Sequence, residues 1–589
     1  MVSALLVIAI AFLVLAQGGF YSLASCAVGA ILCIAAGITW LRKPHRTDGL
    51  PIIPLLFLGM ALSYAISALV NGASLTTLSE TGIWAGCAGA SFLASTQDPQ
   101  KRAFWIKVLA WFGVATAIAG VFVCSGVLPL VGGTVGERLQ FSFQYANAAA
   151  AWYGICAFLC MLSPDDRLRA ATALPLAALL LTESGGGLIV FALAAIAICL
   201  RWMRTAQWNK LFELLIQGVL AAALFATVHI TMSPLALIPL AIAIAACWWL
   251  RKGFSLIETH IDTRIASFVL LGISVACAIV FVIILPDRVS GALSSLNERS
   301  DYLRDGFHLW LVQPLLGVGP DNWQYLYQYI QTAPYYTTVV HCSYVQVLLD
   351  SGAFGLGFLA AASIVGVRAL LRDWKKDGAR DGWAGAELMA ALFLLTHSML
   401  DFDLQFTSLA FTLILLLSSP QAPRIHAKAL KGIVASLACW LVCLPICAAG
   451  LLCAVSSTAI ELAETTGDYA MCEQLFEGNP LAQADVAAQS HYLAALFNEG
   501  KYKAVISVYD TLLAPTDRDA LLTALSCYYS HDLKHATSVL IDHLENRPCD
   551  TEFLNDVLRL TEAYGIDQSQ ANRFNNAVSN ARSLMVPNG

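Results

Sequence analysis

Three polar segments of this chain carry residue types that could move a group from a phosphate carrier to a hydroxyl. The first is GERLQFSFQYANA at 136–148, the second joins NERS at 297–300 to PLLGVGP at 314–320, and the third is HCSYVQ at 341–346. Each combines a cationic or titratable side chain with glycines or amides. We predict that the three segments contribute to one site.

Two arginines and one histidine suit specific steps of such a transfer. Arg138 and Arg299 are predicted to bind a pyrophosphate, because a guanidinium stays charged at any working pH and its N–H fork matches phosphate oxygens. Arg304, five residues after Arg299, is the alternative pyrophosphate ligand. His341 is predicted to take the proton of an acceptor hydroxyl, since an imidazole titrates near neutral pH.

Each of these residues also has a simpler interpretation. His341 lies at the mouth of a predicted helix, where capping or interfacial histidines are common. Arg138 could anchor the chain to lipid phosphates and nothing more. Arg304 could be a solvated surface charge. The residue types alone leave these alternatives open.

Further polar residues are predicted to support the site: Asn147, Tyr344, Gln346, His397 and Asp401. His397 and Asp401 are four apart, so we expect them to meet on one helical face.

The paired aspartates of Asp401-Phe402-Asp403 have the form of a metal site in many soluble sugar-nucleotide transferases. A helix cap or structural turn is favoured over divalent binding. No metal and no cofactor is predicted. Glu183, Asp350 and Glu387 lie at or near predicted spans, and the sequence identifies no partner for them.

The composition determines where such a site must lie. Of the 589 residues 58% are hydrophobic and only 13% are charged, whereas a soluble chain carries about a quarter charged residues. A wholly soluble enzyme is therefore excluded. The net charge of -6 offers no basic excess for nucleic acid. Most of the chain is predicted to lie in a lipid bilayer.

Apolar runs of about 20 residues predict a polytopic, all-α bundle of about 13–15 transmembrane helices. The weakest runs are 75–95, which contains Glu80, and the short run 170–182. The predicted spans are 2–16, 22–41, 51–70, 75–95, 103–124, 145–162, 170–182, 184–201, 211–231, 234–250, 265–285, 344–371, 384–400, 403–419 and 431–455.

The positive-inside rule orients these spans. With the N-terminus inside, 21 Lys and Arg residues fall in inner loops and 4 in outer loops. The four outer residues are Arg138, Arg288, Arg299 and Arg304. An arginine on the disfavoured side is more often retained for chemistry. The predicted site therefore faces outward.

A long outer loop, 286–340, interrupts the helices and is rich in aromatic residues. These residues suit either an interfacial belt at the lipid headgroups or stacking on sugar rings. They are Trp310, Trp323, Tyr325, Tyr327, Tyr329, Tyr335 and Tyr336.

The chain is divided into a membrane domain, 1–455, and a soluble α-helical domain, 456–589, on the outer side. The second domain has 18 acidic and 8 basic residues. Pro515 and Pro548 are 33 apart and Ala504 and Ala536 are 32 apart, close to the 34-residue tetratricopeptide period. Such solenoids bind partners on a concave face, so we expect a binding role that recruits a protein, a glycan or a second subunit.

The 17 cysteines fall mostly in apolar runs and are predicted to act as small hydrophobes rather than as disulfides. Cys439, Cys443 and Cys447 recur every four residues. Helix packing is favoured over a metal ladder there, because no histidine or carboxylate shares their face.

The motifs resemble those of the bacterial O-antigen ligase and polymerase superfamily. The resemblance rests on Arg-Leu-x(4)-Gln-Tyr-x-Asn-Ala at 138–148, on Glu-Arg-Ser with Pro-x-x-Gly-x-Gly, and on His-x-Ser-Tyr-x-Gln before a glycine-rich helix, and it covers about 130–420. The segment after His397 and the appended helical domain resemble the branch with tetratricopeptide repeats. One departure is Thr182-Glu183-Ser184-Gly185, where many members have Thr-x-Ser-Arg.

The resemblance implies a membrane glycosyltransferase of the bacterial cell envelope. It would move a glycan from a polyprenyl (undecaprenyl) pyrophosphate carrier to an acceptor at the outer face of the plasma membrane, without metal and with inversion at the anomeric carbon. It favours Arg138, Arg299 and a catalytic His341. The acceptor, an envelope glycan, a glycolipid or a protein, is not identified, and neither is the choice between ligase and polymerase. The competing class is a glycolipid transporter, which would show inverted repeats and a charged midplane path.

Overall fold

The computed structural model describes residues 2–42, 49–258, 262–272, 299–376, 382–425, 429–512 and 514–585. Several residues of the sequence-based interpretation lie outside these ranges, namely Cys277, Arg288, Asn297, Glu298 and the first part of the outer loop. The described chain is almost wholly helical.

The helices of the first half follow the apolar runs. They are Val2–Leu15, Ser22–Arg42, Ile52–Asn71, Leu75–Ser95, Pro99–Cys124, Ala146–Met161, Asp166–Ala170, Ala173–Leu181, Gly185–Arg204, Trp208–Thr231, Leu237–Glu258 and Thr263–Gly272.

The second half continues with a helix through 299–310, and then with Trp323–Leu326, Ser343–Lys376, Ala384–His397, Thr407–Leu417 and Ala429–Thr465. The soluble C-terminal helices are Tyr469–Glu477, Pro480–Gln483, Val486–Asn498, Tyr502–Tyr509, Asp517–Tyr529, Leu533–Asn546, Thr551–Tyr564 and Ala571–Met585.

Two short antiparallel strand pairs complete the described structure. Leu50–Pro51 pairs with Arg424–Ile425, and Thr134–Val135 pairs with Arg138–Leu139. The second pair is a hairpin whose two-residue turn begins with Gly136, at φ +56°. A positive φ favours glycine at this position.

Seven helices of the described residues are long and apolar enough to cross a membrane, and six shorter apolar helices accompany them. The predicted fold class, a polytopic helical bundle followed by a helical soluble region, is confirmed. The weak run at 170–182 becomes Ala173–Leu181, whose nine residues rise only about 14 Å, less than the hydrocarbon thickness.

The chain divides into two compact units. The first comprises 1–58, 85–295 and 358–444, and the second comprises 59–84, 296–357 and 445–589, both limited here to their described residues. The helix Ala429–Thr465 runs through the predicted domain boundary at 455.

Small residues allow close packing inside the first unit. The helix Ala146–Met161 is buried, and a Cβ at Gly154 would lie 2.3 Å from the Phe393 ring. The sequence identified no partner for Glu387. In the structure its carboxylate accepts a hydrogen bond from Arg102 Nε at 2.9 Å. The same guanidinium also donates to the carbonyls of Ser418 and Leu416, so this buried pair is well satisfied.

No disulfide joins two cysteines of the described residues. Cys443 Sγ lies 3.6 Å from Cys33 Sγ and 3.4 Å from the Ala85 carbonyl oxygen, which are contacts of helix packing. The same holds for Cys447, whose Sγ lies 3.5 Å from the Gly82 carbonyl oxygen in the second unit.

Several C-terminal helices of the second unit begin at well-formed N-caps. Asp485, Asp532 and Asp550 accept hydrogen bonds from the backbone N–H groups of their first turns, and Thr516 and Asp519 form a reciprocal capping box. The apolar faces of these helices form two continuous cores. The compact helical hairpins agree with a repeat architecture, while the tetratricopeptide type stays a prediction.

Candidate functional site

Arg138 is positioned in the first unit by the hairpin at 134–139. The turn sets its half-buried side chain against the end of Ala173–Leu181, where Nε donates to the Thr182 carbonyl at 3.0 Å. Nη2 donates to Asn147 Oδ1 at 3.4 Å. Two of the predicted site residues, Arg138 and Asn147, therefore meet.

Asp401 joins the same group. Its carboxylate accepts from Asn147 Nδ2 at 2.6 Å and from the Tyr145 hydroxyl at 3.0 Å. The Tyr145 ring stacks on Phe402, with centroids 4.8 Å apart. Because Asn147 gives its amide hydrogens to Asp401 and Tyr145, its oxygen is turned toward Arg138. The buried carboxylate thus sets the orientation of the amide.

His397 pairs with the carboxylate of Asp403, with Nδ1 and Oδ2 2.7 Å apart, and Ser398 Oγ donates to the same oxygen at 3.2 Å. The Asp401 N–H donates to the His397 carbonyl at 3.1 Å, but Asp401 lies beyond the end of the helix, so the two residues do not share a helical face as expected. The helix ends at His397, so the chain turns and brings Asp403 to the ring. Asp403 thus holds the turn through His397, while Asp401 orients Asn147.

A group that the sequence interpretation missed lies beside Arg138. His229 places Nε2 3.2 Å from Glu137 and Nδ1 3.2 Å from Glu183. The carboxylate and imidazole atoms lie within 4.8 Å of one another, and they are the one group of the described residues with spacing for a metal ion. The contacts are also those of an imidazolium between two carboxylates. Glu183 thereby has its partner, but no spacing rule connects it to His229.

His341 and Arg299 lie in the second unit, near one aromatic ring. The His341 ring is 5.3 Å from that of Tyr302, and both His341 and Arg299 are half-buried. Arg299 precedes Tyr302 by three residues on the helix through 299–310, so the two share a helical face. The structure therefore places His341 against a ring that lies one helical turn from Arg299.

Arg304 is held by its neighbours. It pairs with Asp301 at 3.0 Å and with Asp305 at 3.6 Å, and it donates to Thr332 Oγ1. Asp305 is fully buried and also accepts from Thr332 and Tyr335. This network favours a structural role for Arg304 over a ligand role.

Gln346 and Asp350 tie the His341 segment to its helix. Gln346 Oε1 accepts from the Val340 N–H at 3.0 Å, and its Nε2 donates to Asp350 at 2.9 Å. Asp350 also accepts from the Tyr64 hydroxyl at 3.2 Å. Gln346 therefore holds the backbone beside His341, while Tyr344 packs against the apolar cluster of the loop.

The glycines of PLLGVGP close the loop onto the helix Ser343–Lys376. Gly352 has φ +67° and ψ −164° and interrupts that helix. The Val318 N–H donates to the Leu349 carbonyl at 2.7 Å, and the Ala353 N–H donates to the Pro314 carbonyl at 2.9 Å. A Cβ on Gly317 would lie 2.4 Å from the Leu349 oxygen. The glycines are needed because backbone packs directly on backbone.

Several aromatic residues of the loop form its own core. Trp323 and Tyr327 are buried, and Tyr327 stacks on Tyr335 with centroids 5.8 Å apart. Tyr302 contacts Tyr335 in turn, at 5.5 Å. For the buried rings both a lipid belt and sugar stacking are wrong, because burial within the loop removes them from either surface. Tyr336, 76% exposed, remains available for either role.

The loop is also bound to the C-terminal helices within the second unit. Arg547, only 2% exposed, donates to Gln328 Oε1 and to the Tyr329 hydroxyl, and its guanidinium lies 4.6 Å from the Tyr329 ring centroid. Gln328 Nε2 donates to Asp550 at 2.9 Å and to Asp517 at 3.3 Å. Three side chains of the C-terminal helices, Arg547, Asp550 and Asp517, thus hold a single glutamine of the loop, and these contacts are called the grip below.

The surroundings of this grip shift the pKa values of its two carboxyls, Asp550 and Asp517. Burial, with the negative charge of Asp517, raises the pKa of Asp550 to about 7. Burial opposes ionisation of Asp517 too, but its hydrogen bonds and the charges of His543 and Arg547 lower its pKa. Burial lowers the pKa of His543. One carboxyl of the grip therefore titrates near neutral pH.

Comparison with known protein families gives a match to the part of the chain that contains His341. The O-antigen ligase family matches residues 218–360, a minority of the chain that includes Arg299, His341 and the docked glycines. No curated protein matches the chain. The family match supports the O-antigen ligase superfamily and, in general, a multi-pass membrane protein that transfers glycosyl groups.

Proposed function

We propose that the protein transfers a glycan from a polyprenyl pyrophosphate carrier to an acceptor at the outer face of the bacterial plasma membrane. The acceptor oxygen forms a bond to the anomeric carbon as the bond from that carbon to the pyrophosphate oxygen breaks. The hydroxyl proton passes to His341, and the carrier pyrophosphate leaves. A single displacement of this kind inverts the anomeric carbon and uses no metal.

The observation that carries the proposal is the arrangement around Tyr302. Within the segment matched by the family, the half-buried His341 contacts this ring, and Arg299 lies one helical turn from it. A neutral imidazole can accept a proton, and a nearby guanidinium stabilises the charge that appears on the leaving group. Arg138, held by Asn147 in the first unit, is the second proposed pyrophosphate ligand.

The test is a reconstituted assay with a polyprenyl-pyrophosphate glycan and an acceptor. We expect His341→Ala to remain in the membrane and to lose transfer. The matched control is His308→Ala, which removes an exposed histidine from the helix that carries Arg299 and Tyr302. Transfer by the His341 variant at the parent rate would contradict the assignment of the base.

The same assay separates a ligase from a polymerase. A ligase joins the glycan to a different acceptor, whereas a polymerase lengthens a second carrier-linked chain. Mass spectrometry of the product, with each acceptor offered alone, identifies which occurs. Both activities use the same arginines and base, so the proposed roles of Arg138, Arg299 and His341 hold for either.

A further inference from the structure

We infer that the first unit binds the phosphate of a membrane phospholipid in a pocket between four helix ends. The pocket is lined by Met161, Arg169, Thr172, Trp202, Lys210, Glu213, Leu214 and Gln217. None of these residues belongs to the proposed transfer site.

Two buried donors of the pocket indicate an oxygen-rich ligand. Gln217 is 1% exposed, and its Oε1 accepts from the Ala173 N–H at 3.0 Å, which turns Nε2 away from the helix. Thr172 is fully buried. Among the described residues, Gln217 Nε2 and Thr172 Oγ1 have no hydrogen-bond partner. Since buried polar groups are almost always satisfied, a ligand with acceptor oxygens fits here.

The charges of the pocket favour an anion. Arg169 and Glu213 neutralise each other, with Nε and Oε2 3.5 Å apart, and Arg169 also pairs with Asp166. Half-buried Lys210 has no ion pair among the described residues. One ammonium and two neutral donors suit a phosphate.

The location identifies a lipid as the source of that phosphate. Ala146–Met161 and Gly185–Arg204 end at the pocket, and Ala173–Leu181 and Trp208–Thr231 begin there. The ends of apolar helices reach the headgroup layer of a bilayer, where tryptophans such as Trp202 are enriched. Basic pockets between such helices bind lipid headgroups. Met161 and Leu214 offer apolar contact to the acyl chains.

Native mass spectrometry of the full chain in detergent tests the inference. We expect adducts with dioleoylphosphatidylglycerol, but not with dioleoylglycerol, which lacks the phosphate. Lys210→Gln should lower adduct occupancy roughly tenfold, because a charge-assisted hydrogen bond is lost. Gln217→Glu should do the same: it retains the oxygen that accepts from Ala173 and replaces the free N–H donor by an acceptor.

Lys101→Gln is the matched control, because Lys101 is exposed and lies outside the pocket. Its adducts should equal those of the parent. Equal binding of dioleoylglycerol, or unchanged adducts in Lys210→Gln, overturns the inference. Either result would show that the pocket does not recognise the phosphate of the lipid. Displacement of the lipid by inorganic phosphate at equal concentration also overturns it, because it would assign a soluble anion instead.

Discussion

The orientation of Arg138 depends on a chain of neighbouring polar side chains. Asn147 presents its oxygen to the guanidinium because Asp401 and Tyr145 take its amide hydrogens. The carboxylate of Asp401 therefore acts on the Arg138 guanidinium through the Asn147 amide.

We expect Asn147→Ala to raise the KM for the lipid-linked donor roughly tenfold and to change kcat less, because one hydrogen bond that orients a phosphate ligand is lost. Steady-state kinetics at varied donor concentration measures both constants. Asn209→Ala, a change at an exposed asparagine of the same unit, should leave both constants unchanged. Equal losses in kcat and kcat/KM would assign Asn147 to the chemical step instead.

Asp550 should make the grip on the loop depend on pH. Its pKa in the folded state is about 7, above the value of an exposed carboxyl, so the folded state binds more protons between about pH 4 and pH 7. The contribution of Asp550 to the stability of these contacts therefore falls as the pH rises to about 7 and is constant above that pH. His543 acts in the opposite sense below about pH 6.5, because its pKa is lowered.

The contribution of Asp550 is isolated by comparing the parent with Asp550→Asn. Hydrogen exchange of the peptide 323–337, corrected for the intrinsic pH dependence of exchange, reports opening of the loop. We expect protection in the parent to fall between pH 5 and pH 7.5 relative to the variant, whose side chain cannot ionise. Parallel protection curves would show that Asp550 does not govern the grip.

For single residues, the sequence predicted which residues belong to the candidate site better than it predicted their side-chain partners. Arg138, Asn147 and Asp401 were named for the site, and they meet. The partner of Glu183 was missed because His229 lies on a helix far along the chain, and only the packing of three segments brings them together. Ion pairs across a fold leave no periodic signal in one sequence.

Among the structural elements, the helix that is interrupted at Gly352 holds the loop in place. Its φ and ψ lie in a region that is essentially restricted to glycine, and a Cβ there would lie 2.2 Å from the Leu315 oxygen. The break exposes backbone groups that the segment after Pro314 uses for hydrogen bonds. The loop and the helix consequently fold as one element.

We expect Gly352→Ala to destabilise the protein by at least ~2 kcal/mol, from backbone strain and the clash together. Thermal unfolding in detergent, followed by tryptophan fluorescence, measures the loss. Gly357→Ala is the control on the same helix, since a Cβ there meets nothing within 4 Å and alanine favours helix. A Gly352 variant as stable as this control would refute the docking role.

Helix positions could be predicted because lipid imposes a long apolar period that is visible in composition alone. The aromatic loop could not be interpreted in the same way. Trp323 and Tyr327 have the residue types of an interface but are buried, since a loop of this length builds its own core. Exposure depends on neighbours that the sequence does not reveal.

For the molecule as a whole, the C-terminal helices are part of a larger unit. Leu75 belongs to the same apolar core as Cys472 and Leu493, and Asp485 accepts from the Thr76 N–H at 2.8 Å. With the grip on Gln328, these contacts join 59–84, 296–357 and 445–589 into one compact body. The C-terminal region supports the loop in addition to any recruitment of partners.

Truncation after Thr465 should therefore remove more than recruitment of an acceptor. We expect loss of donor hydrolysis as well as transfer, because the loop around His341 loses its support. Membrane insertion, measured by fractionation, should persist, since the described apolar helices that could span a membrane are retained. Retained donor hydrolysis with loss of one acceptor would show that the region acts only in recruitment.

Cys549 offers a built-in reporter of this assembly. Its thiol is buried, and Sγ lies 3.7 Å from the carbonyl oxygen of Gln331 in the loop. We expect a membrane-impermeant maleimide to reach this thiol only when the loop moves away, and only from the compartment that contains the C-terminal helices. The native chain can thus disclose its own sidedness and breathing motion by alkylation in intact cells, before any residue is replaced.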